Sequence, residues 1–181
     1  MIYYLLTFLI AGIVETKLIK NELSITIIDV GGQRSERKKW LHVMDNVDAV
    51  LFIASMSEYD QKLNEDSMKN RMQESITLFD NICASPWFKK MPMILFLNKK
   101  DLFEDKIKRS LLVDYFSNFQ GGTDRRKAQQ FISDLFEKNG SFQRDIYRHF
   151  TCAKDTKNID TVFDAVTDLI YQNTLEEYRM I

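Results

Sequence analysis

The sequence predicts an α/β fold, an open and mostly parallel sheet with helices on both faces. Two nearly continuous apolar runs, residues 47–56 and 91–97, are typical of strands that are buried on both faces. Between and after these runs, apolar residues recur every three or four positions, as they do along one face of an amphipathic helix. Strands that alternate with such helices are typical of parallel sheets that are covered on both sides.

The composition is that of an ordinary globular protein of 181 residues, with 45% hydrophobic and 28% charged residues. This length is sufficient for one domain with a full hydrophobic core. The net charge of −1 gives no basic surface for phosphate backbones, so we expect no nucleic acid as a partner. The cysteines and histidines match no metal-ligand spacing, and they are Cys83, Cys152, His42 and His149.

The first fourteen residues carry no charge and are mostly apolar. They are fewer than the roughly 20 residues that a spanning helix needs, and they lack the basic start of a secretory signal. Three interpretations stay open: non-native sequence, a buried strand, or a membrane-seeking element. We treat residues 1–11 as a segment of doubtful origin and residues 12–181 as one partial domain.

Three further strands are predicted. Residues 15–20 and 23–30 flank a polar turn at Lys20 and Asn21, which is typical of an antiparallel hairpin. The two apolar runs at 47–56 and 91–97 follow in the chain. A short run over residues 150–153 is a weaker candidate for a strand.

Helical spacing of apolar residues predicts three helices. The first covers residues 62–84, with Met68 on its apolar face. The second lies around residues 131–136 and ends before Gly140, a candidate cap. The last begins near Asn158.

Polar residues follow three of the predicted strands at the point where each strand ends. The segments are Asp29-Val30-Gly31-Gly32-Gln33, Asn98-Lys99-Lys100-Asp101 and Thr151-Cys152-Ala153-Lys154. In open parallel sheets, ligands bind in the crevice beyond the carboxyl ends of the strands. The sequence therefore predicts that these segments form one binding site.

The segment 98–101 has the chemistry to select guanine. The carboxylate of Asp101 can accept two hydrogen bonds from the N1–H and N2 amine of guanine, which adenine cannot supply. The stem of Lys99 can lie along the base, and Asn98 can tie the segment to neighbouring backbone. The alternative is a charged turn after a buried strand, because so short a pattern often arises by chance.

The segment 29–33 has the chemistry to act on a terminal phosphate. Asp29 can hold a water bound to Mg²⁺, and the amide of Gly32 can approach a γ-phosphate because no Cβ blocks it. Gln33 is then placed to orient an attacking water. A tight Gly-Gly turn would explain the glycines but not the flanking Asp29 and Gln33.

Several ordered strings resemble one known family. Residues 29–40 (DVGGQRSERKKW) are similar to the second switch of heterotrimeric G-protein α subunits. Similar strings continue at 57–60, 70–75, 94–103 and 149–153. The resemblance runs from Gly12 to the C-terminus. It implies that residues 12–181 are part of a Ras-like P-loop GTPase domain, incomplete at its N-terminal side.

The resemblance implies a role for each matching residue. Asp29 would hold Mg²⁺ through water, and Gln33 would be the catalytic residue that orients the hydrolytic water. GTP or GDP would be bound by Asp29, Val30, Gly31, Gly32, Gln33, Asn98, Lys99, Lys100 and Asp101, with support from the backbone of Cys152 and Ala153.

The resemblance also implies partners. Arg37 and Glu74 resemble the ion pair that holds the GTP-bound switch, although residues 34–39 could instead be a solvated basic helix face. Lys38, Lys39 and Trp40 match the surface that packs on the βγ dimer. Residues 85–88 lie where effectors dock, although Trp87 and Phe88 could simply cap the core.

The implied function is a GTP-hydrolysing switch that couples a G-protein-coupled receptor to a downstream effector together with βγ. The expected location is the cytoplasmic face of the plasma membrane, as a peripheral protein, or the cytosol if the chain is truncated. The alternative is a non-catalytic fragment of an α subunit that acts only through βγ, receptor or effector contacts.

The sequence departs from the family in its first part. It contains no GxxxxGK[ST] string, so the phosphate-binding loop and the central strand before it are expected to be missing. The loss of that strand would leave backbone groups on two neighbouring strands unpaired. Thr7 replaces an arginine worth about 10³–10⁵ in rate in this same family. Ile10 replaces a threonine that binds Mg²⁺, and Lys154 replaces another threonine.

Overall fold

The structure is a computed structural model. It describes residues 2–5, 13–20, 23–42, 47–89, 91–138, 146–152, 154–155 and 163–172. Within these residues, a six-stranded sheet carries helices on both faces. The predicted fold class is confirmed.

The strands are β1 (Ile2–Leu5), β2 (Ile13–Lys20), β3 (Leu23–Val30), β4 (Ala49–Ser55), β5 (Met93–Asn98) and β6 (Ile146–Phe150). Their spatial order is β2-β3-β1-β4-β5-β6. Only β2 runs antiparallel to its neighbour, and the β2–β3 pair is the predicted hairpin. All other neighbouring strands are parallel, so the carboxyl ends of β3, β4, β5 and β6 meet at one edge of the sheet.

The central place in the sheet is occupied by β1, contrary to the expectation that a strand would be missing there. Ile2 pairs with Ile27 of β3 and with Ala49 of β4, and the register continues along both neighbours. Because β1 supplies backbone partners on both sides, the predicted gap does not form. Of the three interpretations of the N-terminal segment, residues 2–5 adopt the strand. Thr7, Ile10 and Gly12 lie outside the described residues.

Among the described residues, four α-helices flank the sheet: α1 (Arg71–Ala84), α2 (Lys100–Lys106), α3 (Arg125–Lys138) and α4 (residues 163–172). The strand predicted at 23–30 matches β3, and those predicted at 15–20, 47–56 and 91–97 shift by one or two residues at their ends. β6 ends at Phe150, where a strand was predicted to begin. The predicted helix around 131–136 is α3, and the predicted last helix contains α4. Gly140 and Asn158 lie outside the described residues.

The first predicted helix begins nine residues later than expected, at Arg71 instead of 62. The side chain of Asn70 accepts hydrogen bonds from the backbone N–H groups of Met72, at 2.8 Å, and Gln73, at 3.1 Å. This cap satisfies two of the donors that a helix N-terminus leaves unpaired, and it fixes the start of α1. Met68 lies in the preceding loop and is 87% exposed, so its predicted place on an apolar face is wrong.

Two hydrophobic clusters, one on each face of the sheet, hold the helices in place. Every residue of β4 is buried because the strand is covered on both sides. Phe52 contacts Phe79 of α1 and Phe136 of α3 in the larger cluster. Its neighbour Leu51 lies in the smaller cluster, which includes Val166 of α4. This alternation is the period of two that a strand imposes on its side chains.

No helix in the described part of the chain is long and apolar enough to cross a membrane.

Candidate functional site

The segments that follow β5 and β6 are joined by backbone hydrogen bonds. The N–H of Thr151 donates to the carbonyl of Leu97 at 3.0 Å, and the N–H of Lys100 donates to the carbonyl of Thr151 at 3.2 Å. Asn98 folds back so that its Oδ1 accepts from the N–H of Lys99 at 2.7 Å. Two of the three predicted segments therefore form one surface, and Asn98 ties its loop to backbone, as predicted.

Lys99 has a strained backbone at the centre of this surface. Its φ is +59°, in the left-handed region, which costs a non-glycine residue about 1–2 kcal/mol. Such residues persist only where the surrounding structure holds them, and they cluster at functional sites. The hydrogen bonds of Asn98, Lys100 and Thr151 supply that support.

The ammonium group of Lys99 is held by Glu58, a residue that sequence analysis did not single out. Lys99 Nζ lies 3.0 Å from Glu58 Oε1, and Arg71 of α1 lies 3.5 Å from Glu58 Oε2. Glu58 is only 7% exposed, so its carboxylate is desolvated and both cations compensate for its charge. The only sequence signal was its place within the family-like string at 57–60.

Asp101 lies in the first turn of α2 and is partly exposed. Lys154, which stands where the family has threonine, places its Nζ 3.9 Å from Asp101 Oδ2, but 82% of the Lys154 side chain is exposed. So exposed a pair contributes at most about 1 kcal/mol and holds the carboxylate weakly. Cys152 is partly buried beside this segment, and Ala153 lies outside the described residues.

The third predicted segment leaves β3 at the same edge of the sheet and is held by two side chains from residues 37–42. Trp40 donates from Nε1 to the carbonyl of Gly31 at 2.9 Å, and Arg37 donates from Nε to the carbonyl of Gly32 at 3.3 Å. These bonds fix the path of the chain after Asp29. Residues Arg37–His42 form a 3₁₀ helix.

Gln33 lies where this segment borders a cavity of about 310 Å³. The cavity is also lined by Glu58, which binds Lys99, and by Glu74. Its volume is far more than the roughly 30 Å³ that one water molecule occupies. Val30, between Asp29 and Gly31, is fully buried and contributes its side chain to the core.

Three cations converge on the buried carboxylate of Glu74. Arg34 donates to both carboxylate oxygens at 3.2 and 3.0 Å, Arg37 lies at 2.9 Å, and Lys69 at 2.6 Å. The hydrogen bonds from Arg34, and then those from Lys69 and Arg37, lower the pKa of Glu74 to about 2 although burial opposes this shift. The same contact raises the pKa of Arg34 above its usual value.

The predicted contact between Arg37 and Glu74 is therefore present, and sequence analysis missed Arg34 and Lys69. The alternative of a solvated basic face is wrong for Arg37, which is partly buried against Glu74. It fits Lys38 and Lys39, which are exposed, and it fits Arg34 in part, because that side chain is 43% exposed and also binds Glu74. Charge pairs of this kind depend on how α1 packs against residues 31–42. No local pattern would have identified them.

Each of the predicted contact surfaces at residues 38–40 and 85–88 contains both buried and exposed residues. Trp40 is only 6% exposed, so Lys38 and Lys39 are the parts of that trio available to a partner. Trp87 is 58% exposed, whereas Phe88 is buried in the larger core cluster. Phe88 therefore caps the core, as one interpretation of residues 85–88 held, and effector docking at exposed Trp87 stays a prediction.

Asp29 is the residue that fits a magnesium ion. It supplies a carboxylate at the end of β3, and Mg²⁺ commonly takes one or two protein carboxylates while keeping several waters and substrate phosphates. Among the described residues, no three His, Cys, Asp or Glu side chains lie close enough together to hold a metal on their own.

Comparison with known proteins assigns these residues to a family. The sequence model of the family described as G-protein alpha subunit matches residues 7–170. The chain is 53% identical over 165 residues to the guanine nucleotide-binding protein G(o) subunit alpha of Caenorhabditis elegans, a match that covers 91% of the chain and 47% of that protein. It is 52% identical over 171 residues to the alpha-1 subunit of Mycosarcoma maydis, with 94% of the chain and 48% of that protein covered.

The chain spans about half the length of the curated relatives it matches. The family match begins at residue 7, five residues before the start that sequence analysis gave at Gly12.

Proposed function

The chain belongs to the G-protein α-subunit family, and on this premise we propose that it carries the guanine pocket and second switch of a GTP-hydrolysing signal transducer. Members of this family bind guanine nucleotides, as the names of the relatives state. The structure shows how the residues that would bind the base and the phosphates are arranged.

The observation that carries this proposal is the joined surface of residues 98–101 and 151–152. The backbone of Lys100, next to Asp101, is bonded to Thr151 at the end of β6, and Lys99 is held at the same surface by Glu58. A carboxylate in a fixed loop selects guanine because the two donors on one edge of that base would otherwise be unmatched. Adenine presents no such pair.

The phosphate chemistry would belong to residues 29–33. Asp29 would hold Mg²⁺ through water, which would neutralise charge on the phosphates. Gln33, at the edge of a cavity large enough for water, would orient the attacking water molecule. Arg34 and Arg37 would keep this segment against α1 through Glu74.

The proposal extends to partners by analogy with the family. Exposed Lys38 and Lys39 would contact the βγ dimer, and exposed Trp87 would contact a downstream effector. A G-protein-coupled receptor would act on the protein at the cytoplasmic face of the plasma membrane.

One observation favours a second function, that of a non-catalytic fragment. In G-protein α subunits, the central strand of the sheet leads into the phosphate-binding loop. In this chain, β1 occupies that central place. The 181 residues hold no GxxxxGK[ST] string that could follow it. A chain of this kind would act through βγ, receptor or effector contacts alone.

Titration with a fluorescent GDP analogue in Mg²⁺, with ADP as competitor control, separates the two functions. The guanine-pocket proposal expects weak binding that unlabelled GDP displaces and ADP does not. Binding that neither nucleotide displaces, or no binding at all, would favour the fragment. Submicromolar affinity would show that phosphate contacts exist which the sequence does not reveal.

A further inference from the structure

β2 is one of the two edge strands of the described sheet, and the side chains of residues 13–19 are exposed on both of its faces. Residues 13–19 are all exposed, and Ile19 reaches 83%. Val14 is 50% exposed, while Ile13 and Leu18 are close to 40%. Across the described residues, no strand pairs with the outer edge of β2. An edge of this kind, with open backbone groups and apolar side chains, is a template for the addition of another strand.

The sequence of β2 is symmetric in chemical type about Thr16. Reading outward from that residue, Glu15 is matched by Lys17, Val14 by Leu18, and Ile13 by Ile19. Two copies of such a strand that run antiparallel about a two-fold axis at Thr16 place each residue opposite its match. Antiparallel neighbours opposite one another have Cβ atoms about 4.5–5.5 Å apart, close enough to interact.

We propose that the chain forms a symmetric dimer in which β2 pairs antiparallel with β2 of a second copy, with Thr16 facing Thr16. On one face of the joined sheet, Glu15 and Lys17 of the two copies would form two ion pairs flanked by isoleucine pairs. On the other face, Val14 would meet Leu18 on each side of the central threonines. The same surface serves both copies, as a two-fold interface requires.

The charges select this register over its neighbours. A shift by one residue would place Glu15 opposite Leu18 or Lys17 opposite Val14, without a charge partner. A shift by two would place Glu15 opposite Glu15 or Lys17 opposite Lys17, and like charges directly opposite are destabilising. A lysine on an edge strand usually prevents pairing. Here the same lysine favours a second copy because that copy brings Glu15.

Cysteine cross-linking tests the register directly. In a Cys152→Ser background, Thr16→Cys should give a disulfide-linked dimer on mild oxidation, because opposed residues lie within the Cα separation that a disulfide needs. The matched control is Leu18→Cys, which keeps both charges and should cross-link far less, since its two copies would be four residues apart along the strands, on the order of 13 Å. Equal cross-linking of both variants, or none with Thr16→Cys, would overturn the proposal.

Charge reversal tests the recognition chemistry by sedimentation velocity. Lys17→Glu should weaken the dimer by about tenfold or more, since it replaces two attractive pairs with two repulsive ones. Glu15→Lys combined with Lys17→Glu should restore wild-type association, which a variant that merely disturbs β2 would not do. A wild-type chain that sediments as a monomer at about 100 µM, or a double variant as weak as Lys17→Glu, would refute the proposal.

Discussion

Glu74 is the residue at which removal of a single charge should have the largest measurable effect on stability. Its side chain is 9% exposed, and its carboxylate binds Arg34, Arg37 and Lys69. The pKa of Glu74 falls from 4.5 to about 2 in the folded chain. A shift of that size corresponds to about 3 kcal/mol. Because Arg34 and Lys69 are themselves partly hydrated, we expect Glu74→Gln to destabilise the fold by about 2–3 kcal/mol near neutral pH.

The effect of Glu74→Gln on the free energy of unfolding should depend on pH. The folded pKa of Glu74 lies below the unfolded one, so the charged carboxylate stabilises the fold above the unfolded value of 4.5. That contribution is lost as pH falls from 4.5 toward 2. The stability difference between wild type and Glu74→Gln should therefore shrink by about 1.4 kcal/mol per pH unit in this window.

Urea unfolding of both proteins, monitored by circular dichroism across this pH range, measures the difference. Glu65→Gln is the matched control, because Glu65 is exposed on the same cavity and its loss should change stability by no more than about 0.5 kcal/mol. A difference between wild type and Glu74→Gln that stays constant with pH would refute the assigned role of the carboxylate.

Three further predictions concern Glu58, Gln33 and the central strand β1. Glu58→Gln should release Lys99 and weaken guanine-nucleotide binding about tenfold, and calorimetric titration with GDP should show less loss for Glu58→Asp. In a longer chain that also carries a phosphate-binding loop, Gln33→Leu should lower single-turnover GTP hydrolysis by orders of magnitude with similar nucleotide affinity. Unchanged turnover would remove Gln33 from the mechanism. Tyr4→Pro should cost about 1–3 kcal/mol more in urea unfolding than Tyr4→Ala, because proline removes a backbone donor from the central strand. Equal stability of those two variants would contradict the place of β1.

The sequence predicted the parts of the fold that depend on local pattern. The hairpin follows from two apolar runs around a polar turn, and the clustering of residues 98–101 and 151–152 follows from parallel strands that end at one edge. The place of β1 did not follow. An uncharged apolar segment fits a strand, a membrane element or foreign sequence equally well, and only the available sheet position decides among them.

Of the ion pairs at the site, only the one between Arg37 and Glu74 was predicted, and that prediction came from the family resemblance. Glu58 and Lys99 are 41 residues apart, and Arg34 and Glu74 are 40 apart. Such pairs form because β4, α1 and the segment after β3 pack together. The helix start at Arg71 was missed for a local reason, since the cap from Asn70 outweighed apolar spacing that continued upstream.

The most direct test of the guanine pocket is the base preference of Asp101→Asn. Asparagine presents one acceptor and one donor where aspartate presents two acceptors, and xanthine replaces the N2 amine of guanine with a carbonyl. Competition between GDP and XDP on wild type and variant should show the affinity ratio moving toward xanthine by about 2–4 kcal/mol. If the ratio of the two affinities is the same in both proteins, Asp101 does not contact the base and the guanine assignment is wrong.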